Sequence, residues 1–220
     1  MINPKISVNI ENLKKGEINM PKKIELIAEL KNSIDREMIH NKFLVTIYDG
    51  SETSEINDKL NKLYNQQKTR AENALMAKNY NRYLIFHTRP YRLHALLEIF
   101  DIVKNDKTKA ELLTHYWQDT VEPYINLKYW IELFKYFDGK EELLMSEEEN
   151  QYFNNLPEEI TIYRGADRSG GISWTLDKET AKWYANRFNF NNKGKVFEKI
   201  VKKSDCLCYL LNEQEIIIIN

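Results

Sequence analysis

Residues 159–175 read EITIYRGADRSGGISWT, and residues 205–219 read DCLCYLLNEQEIIII. In both, β-branched and aromatic residues dominate and glycine punctuates, the texture of short strands. Glu159 to Tyr163, Gly170 to Thr175, Lys195 to Val201, Asp205 to Leu211 and Glu215 to Ile219 are predicted strands. A helix capped by Asp177 and carrying Trp183 and Tyr184 lies among them. Pro157 marks where this texture begins. Upstream of it, residues 53–155 read as helical. Ile56, Leu60, Leu63, Tyr64 and Gln67 make a helical stripe. Further helices are predicted over Tyr91 to Val103, from a capping box at Thr108 and Glu111, after Asn126 (with Tyr129, Trp130, Leu133, Phe134 and Phe137, stopping at Gly139), and from a second capping box at Ser146 and Glu149. Residues 1–50 are mixed: a short strand at Ile6, Val8 and Ile10, a helix after Pro21, and a strand from Lys42 to Tyr48 closed by Asp49-Gly50. Helices first and strands last give the class α+β. Two regions are expected: 1–105, mixed and helical, and 106–220, with helices over 108–155 and the strand-rich stretch over 157–220.

The 220 residues are 42% hydrophobic and 12% aromatic, enough for a sizeable core and too rich in both for a disordered chain. A formal net charge of −1 gives no overall pull toward nucleic acid or membranes. The first residues, with Asn3, Pro4 and Lys5, lack the pattern of a secretion signal, and no apolar run approaches the ~20 residues that span a bilayer. A cytoplasmic protein without a membrane partner is the expectation. Cys206 and Cys208, two apart in a strand-like run, are badly placed to pair and are expected to be buried, reduced thiols. His40, His87, His94 and His115 show no metal-ligand spacing, so no metal is expected. No glycine-rich phosphate loop is present.

Three short signals carry chemistry. Ile162-Tyr163-Arg164-Gly165 puts an arginine at a strand end before glycine. Gly171-Ile172-Ser173-Trp174-Thr175 puts two hydroxyls at alternate strand positions. Glu213-Gln214-Glu215 runs into four isoleucines. Alternation would set both carboxylates on one strand face, where like charges repel, at the mouth of an apolar strand that penalises them. The plain alternative is two solvent-exposed residues at a strand end.

Together the three signals resemble the R-S-E class of ADP-ribosyltransferases, which includes arginine-modifying bacterial toxins and phage-encoded enzymes. The resemblance covers about residues 157–220, and the stretch from Thr175 to Phe188 looks like the helix that follows the second motif in phage-type members. It implies a small split β-sandwich core after a mostly helical N-terminal part, with NAD as substrate. Many relatives carry further strands after the last motif, and here only five residues follow Glu215. The implied roles match the chemistry. Breaking the nicotinamide–ribose bond builds positive charge on the sugar, as glycoside hydrolysis does. Glu215 would stabilise that charge and hold a ribose hydroxyl, and Ser173 would fix Glu215 by hydrogen bonding. Arg164, with Gly165, would grip the NAD phosphate or adjacent ribose. Trp174 and Thr175 belong to the cofactor-side strand, Thr175 lining the nicotinamide pocket. Glu213 would steer the acceptor and take its proton. Phe188 or Phe190 would stack on nicotinamide, the alternative for either being ordinary core packing.

The implied acceptor is a macromolecule: protein, with arginine favoured because Glu-x-Glu accompanies it, or RNA. The RNA reading draws on Lys68, Arg70, Lys78, Arg82, Arg89 and Arg92, interleaved with Tyr80, Tyr83 and Tyr91; a solvated helix face is the plainer account. NAD hydrolysis by the same site and a non-enzymatic RNA-binding or interaction module are the competing readings. A toxin or phage-conflict effector would bring with it a neutralising antitoxin partner.

Overall fold

The computed structural model describes residues 24–50, 53–121, 123–167, 169–187 and 194–219. The strand expected at Ile6, Val8 and Ile10, and the two ring candidates Phe188 and Phe190, lie outside the described residues. The chain divides into two compact units, Met1–Gln66 and Gln67–Asn220. The class is α+β, and the described residues form two small antiparallel sheets, one in each unit.

In the first unit a four-residue helix, α1 (Ala28–Lys31), precedes a three-stranded meander: β1 (Ile34–Asp35), β2 (Met38–Asn41) and β3 (Leu44–Ile47). The expected strand from Lys42 begins late because Lys42 and Phe43 form the hairpin turn, where the Asn41 side chain accepts from Phe43 N at 3.1 Å. Residues 24–27 are not helical, so the helix expected after Pro21 shrinks to α1.

The long helix α2 (Ser54–Met76) buries Asn57, Tyr64, Ala71 and Ala74, while Ile56 and Leu63 are exposed. The predicted stripe is therefore rotated by about one residue. A polar side chain explains it: Asn57 accepts from Tyr48 Oη and donates to the Ile24 carbonyl, both at 3.1 Å, so its amide can be buried with both ends satisfied.

The second unit places the helices α3 (Tyr80–Ile85), α4 (Arg92–Phe100), α5 (Asp106–Asp119), α6 (Leu127–Lys135) and α7 (Glu147–Asn155) before the sheet. α5 starts two residues ahead of the expected Thr108, because the Asn105 side chain takes Thr108 N at 2.9 Å and is the cap. Its buried ridge of Ala110, Leu113, Tyr116 and Trp117 packs into an aromatic core. Trp117 meets Trp130 and Phe134 edge-on, each at 5.4 Å between ring centroids. At α7 the Ser146–Glu149 capping box forms in both directions.

The sheet has strand order β6-β4-β5-β8-β7: β4 (Glu159–Ala166), β5 (Ser173–Thr175), β6 (Lys195–Lys202), β7 (Cys208–Leu210) and β8 (Glu215–Ile217). All its pairings are antiparallel. Between β5 and β6 runs α8 (Lys178–Arg187), capped by Asp177, whose carboxylate accepts from Glu179 N and Thr180 N. The register Trp174↔Ile216↔Tyr209 puts these three on one face, in a core with Ile160, Ile162 and Ile218. The register Thr175↔Glu215↔Leu210 defines the opposite face. Cys206 and Cys208 are buried free thiols, and burial pushes Cys206 up to about 11. No helix among the described residues is long and apolar enough to cross a membrane.

Candidate functional site

The middle of the sheet is where the motif residues meet. β5 and β8 are paired, so Ser173, Thr175 and Glu215 share one face. Glu215 is 6% exposed, the most buried carboxylate of the described residues. Burial pushes its carboxyl up to about 7 from the ordinary 4.5. Hydrogen bonds from the Ser173 side chain and the Trp117 indole pull it back down, the nearby Glu213 raises it, and the Arg164 guanidinium lowers it. Trp117 Nε1 donates to Glu215 Oε1 at 2.9 Å, deep in the structure. A carboxyl with this balance can hold or release a proton near neutrality, and once ionised it is a concentrated negative charge in a poorly solvated setting.

Arg164 comes from β4. Its Nη1 donates to the Ser173 carbonyl oxygen at 2.6 Å. Gly171 makes the room: a Cβ there would stand 2.5 Å from Arg164 Nη2, and its φ of +142° is one that side-chain-bearing residues rarely adopt. The second motif thus supplies a hydroxyl to the carboxylate and a backbone anchor to the guanidinium.

Glu213 is placed differently from expectation. It lies on a 3₁₀ turn, Leu211–Glu213, not on the strand, and it is exposed while Glu215 is buried. Gln214 between them has φ 46° and ψ 44°. This left-handed residue ends the alternation that would have put both carboxylates on one strand face; for a non-glycine it costs about 1 kcal/mol. Glu213 Oε1 instead accepts from Tyr184 Oη of α8 at 2.5 Å, and burial together with this carboxylate drives the Tyr184 phenol pKa upward.

The turn is held from three sides. Glu149, already part of the α7 capping box, takes Leu211 N at 2.7 Å. Asn212 donates to Gln118 on α5 at 3.1 Å. Thr175 Oγ1 donates to the Glu213 carbonyl at 2.8 Å and accepts from Asp177 N at 3.0 Å. Its hydroxyl is thus bonded to backbone on both sides, which makes Thr175 a clamp on the turn that carries Glu213.

Two other residues assigned to the cofactor side are not brought to the carboxylates. Trp174 faces the apolar core, with Nε1 donating to Gly171 O at 3.2 Å; strand alternation turns it away from its neighbours Ser173 and Thr175. Gly165 is covered by α8, since a Cβ there would lie 1.8 Å from the Ala181 carbonyl oxygen. Its lack of a side chain serves helix–strand contact.

No protein-family model, curated protein or solved structure matches this chain.

Elsewhere in the unit, an open depression of about 490 Å³ is lined by Ala77–Asn81 together with Thr108, Glu111, Leu112 and His115, and by none of the motif residues. The basic stretch near it is partly neutralised: Arg89 and Arg92 both pair with Asp119. No group of three or more His, Cys, Asp or Glu suited to a metal occurs among the described residues.

The sequence reading missed Trp117 and Tyr184 as partners of the two glutamates. Tyr184 was within reach, sitting in the helix next to the second motif. Trp117 is 98 positions from Glu215, and nothing local announces the pairing.

Proposed function

We propose that this chain is a mono-ADP-ribosyltransferase that moves ADP-ribose from NAD to a protein acceptor, built on a core of the split β-sandwich type. The observation that carries the reading is Glu215: a buried carboxyl on the central strand, hydrogen-bonded by Ser173, with Arg164 fixed on the backbone of the same serine. Arginine, serine and glutamate are the three residue types the resemblance requires, and they are neighbours here.

The donor set suits NAD. As the nicotinamide–ribose bond breaks, its electron pair leaves with nicotinamide and the sugar becomes cationic; the ionised Glu215 stabilises that charge. Arg164 supplies a permanent, planar cation for the diphosphate. The acceptor forms the new bond to the sugar and gives its proton to Glu213, the exposed carboxylate on the adjoining turn. Asp119 pairs with both Arg89 and Arg92 and offsets one positive charge in the segment that would hold RNA, which favours a protein acceptor.

Labelled NAD tests this directly. The purified protein is incubated with labelled NAD and cell lysate, and the product is split by protease or by ribonuclease. Protease-sensitive label is expected, falling by about 10²–10⁴-fold in Glu215→Gln. Ribonuclease-sensitive label would move the acceptor to RNA, and label found only in free ADP-ribose would make the chain a glycohydrolase. Normal turnover by the variant, or none by the wild type, would reject the reading.

A further inference from the structure

The carboxyl of Glu215 is approached from behind by a helix that none of the three motifs includes. α5 ends at Asp119, and its last turn points Trp117 at β8. We propose that Trp117 is a positioning residue for Glu215: its indole N–H holds one carboxyl oxygen in place and favours the ionised form that the transfer reaction uses. The role of that ionised form rests on the transferase reading; the contact itself does not.

Three observations carry it. The bond is 2.9 Å long and buried, so water does not compete for it. The indole is fixed by its own neighbours, edge-on against Trp130 and Phe134. Trp130, also buried beside it, has an Nε1 without a hydrogen-bond partner. Two tryptophans thus share one aromatic cluster, and only one of them spends its donor on the carboxyl. An apolar core needs neither donor, so the aim of Trp117 is what its packing alone does not explain.

The other titratable and charged groups that act on the carboxyl come from separate elements: Glu213 on the turn, Arg164 on β4, Tyr184 on α8 and Cys208 on β7. None is on α5, so changing Trp117 leaves them in place. Phenylalanine at 117 keeps a ring against Trp130 and Phe134 and deletes the donor.

The test is carboxyl-carbon NMR of glutamate-labelled protein, titrated with pH. In Trp117→Phe the Glu215 midpoint is expected to rise by about one pH unit, the equivalent of one lost charge-assisted hydrogen bond. Trp130→Phe, the matched control, is expected to leave it where it was. In the wild type the Trp117 indole N–H resonance should itself titrate with the Glu215 midpoint and stop doing so in Glu215→Gln, a measurement that needs no change at 117. An unmoved midpoint in Trp117→Phe, or an indole resonance indifferent to Glu215, overturns the proposal. NAD hydrolysis followed against pH gives the functional arm: the rising limb should move up with the NMR midpoint, with kcat affected more than KM. A wild type inert toward NAD would remove the transferase reading and leave the NMR result to decide Trp117 by itself.

Discussion

Glu215→Gln should make the second unit more stable, and the gain should grow with pH. The cause is the cost of ionising a buried carboxyl. In the fold this group titrates at about 7, against 4.5 ordinarily. Between those values the folded chain keeps a proton that the unfolded chain has released, so folding is favoured most below pH 4.5 and that advantage is lost as pH rises through 7. The difference corresponds to about 3 kcal/mol at pH 8. Because the side chain is only 6% exposed, solvent does little to screen it. Glutamine keeps an oxygen for the Trp117 donor and has no charge to desolvate, so it escapes the loss. The assay is denaturant unfolding of both proteins at pH 5, 6, 7 and 8, followed by tryptophan fluorescence. All four tryptophans (Trp117, Trp130, Trp174 and Trp183) lie in the second unit, so the signal reports on that unit alone. The stability difference between variant and wild type should swing by about 3 kcal/mol toward the variant from low to high pH. A difference that stayed flat from pH 5 to 8 would mean the carboxyl is ionised throughout, and the argument from burial would fail.

Three further outcomes are expected. Gly165→Ala should destabilise the second unit by several kcal/mol, about 3 or more, because its methyl group would overlap the Ala181 carbonyl; a melting temperature within a degree of wild type would refute the close contact. Arg164→Ala should weaken NAD binding by about 10-fold or more with folding retained, and unchanged affinity by calorimetry would remove its assigned role. Glu213→Gln should reduce transfer to an acceptor more than NAD hydrolysis, read from the two products of one labelled reaction, and equal loss of both would deny it the acceptor side.

Much of this architecture could be read from local signals because the signals were local. The Ser146–Glu149 box and the Asp177 cap each spend their hydrogen bonds within three residues, so the sequence displays the whole device. The strand order of motifs was legible for a similar reason: Arg164, Ser173 and Glu215 each sit on a strand whose composition marks it. What escaped was set by partners far away in the chain. The α2 face turned because Asn57 finds Tyr48 and the Ile24 carbonyl, contacts that no periodicity reveals. Glu213 left the strand because Gln214 takes a left-handed backbone, which glutamine does not advertise. Trp174 was credited to the cofactor side by its place between Ser173 and Thr175, although alternation alone would have sent it to the core. Trp117 showed only that it was apolar and helical; its donor acquired meaning when β8 arrived beside it.

The tight seating of α8 has a mechanical consequence. Ala181 and Ala185 press their backbone onto Gly165 in β4, and Ala185 also presses onto Gly194 at the start of β6, where an added Cβ would lie 1.7 Å from its carbonyl oxygen. Such a joint works like a key in a slot: the helix has no clearance to slide or roll without lifting off two strands at once. Tyr184 rides between those two alanines, three residues after Ala181 and one before Ala185, so its base is held by both contacts. What ties Glu213 to this helix is therefore one phenol hydroxyl, and a turn about the Cα–Cβ bond of Tyr184 is needed to release it, since the hydroxyl lies on the axis about which the ring itself flips. The tie on the exposed carboxylate is a side chain hung on a firmly seated helix, and Tyr184→Phe should release Glu213 while the frame beneath stays as it is.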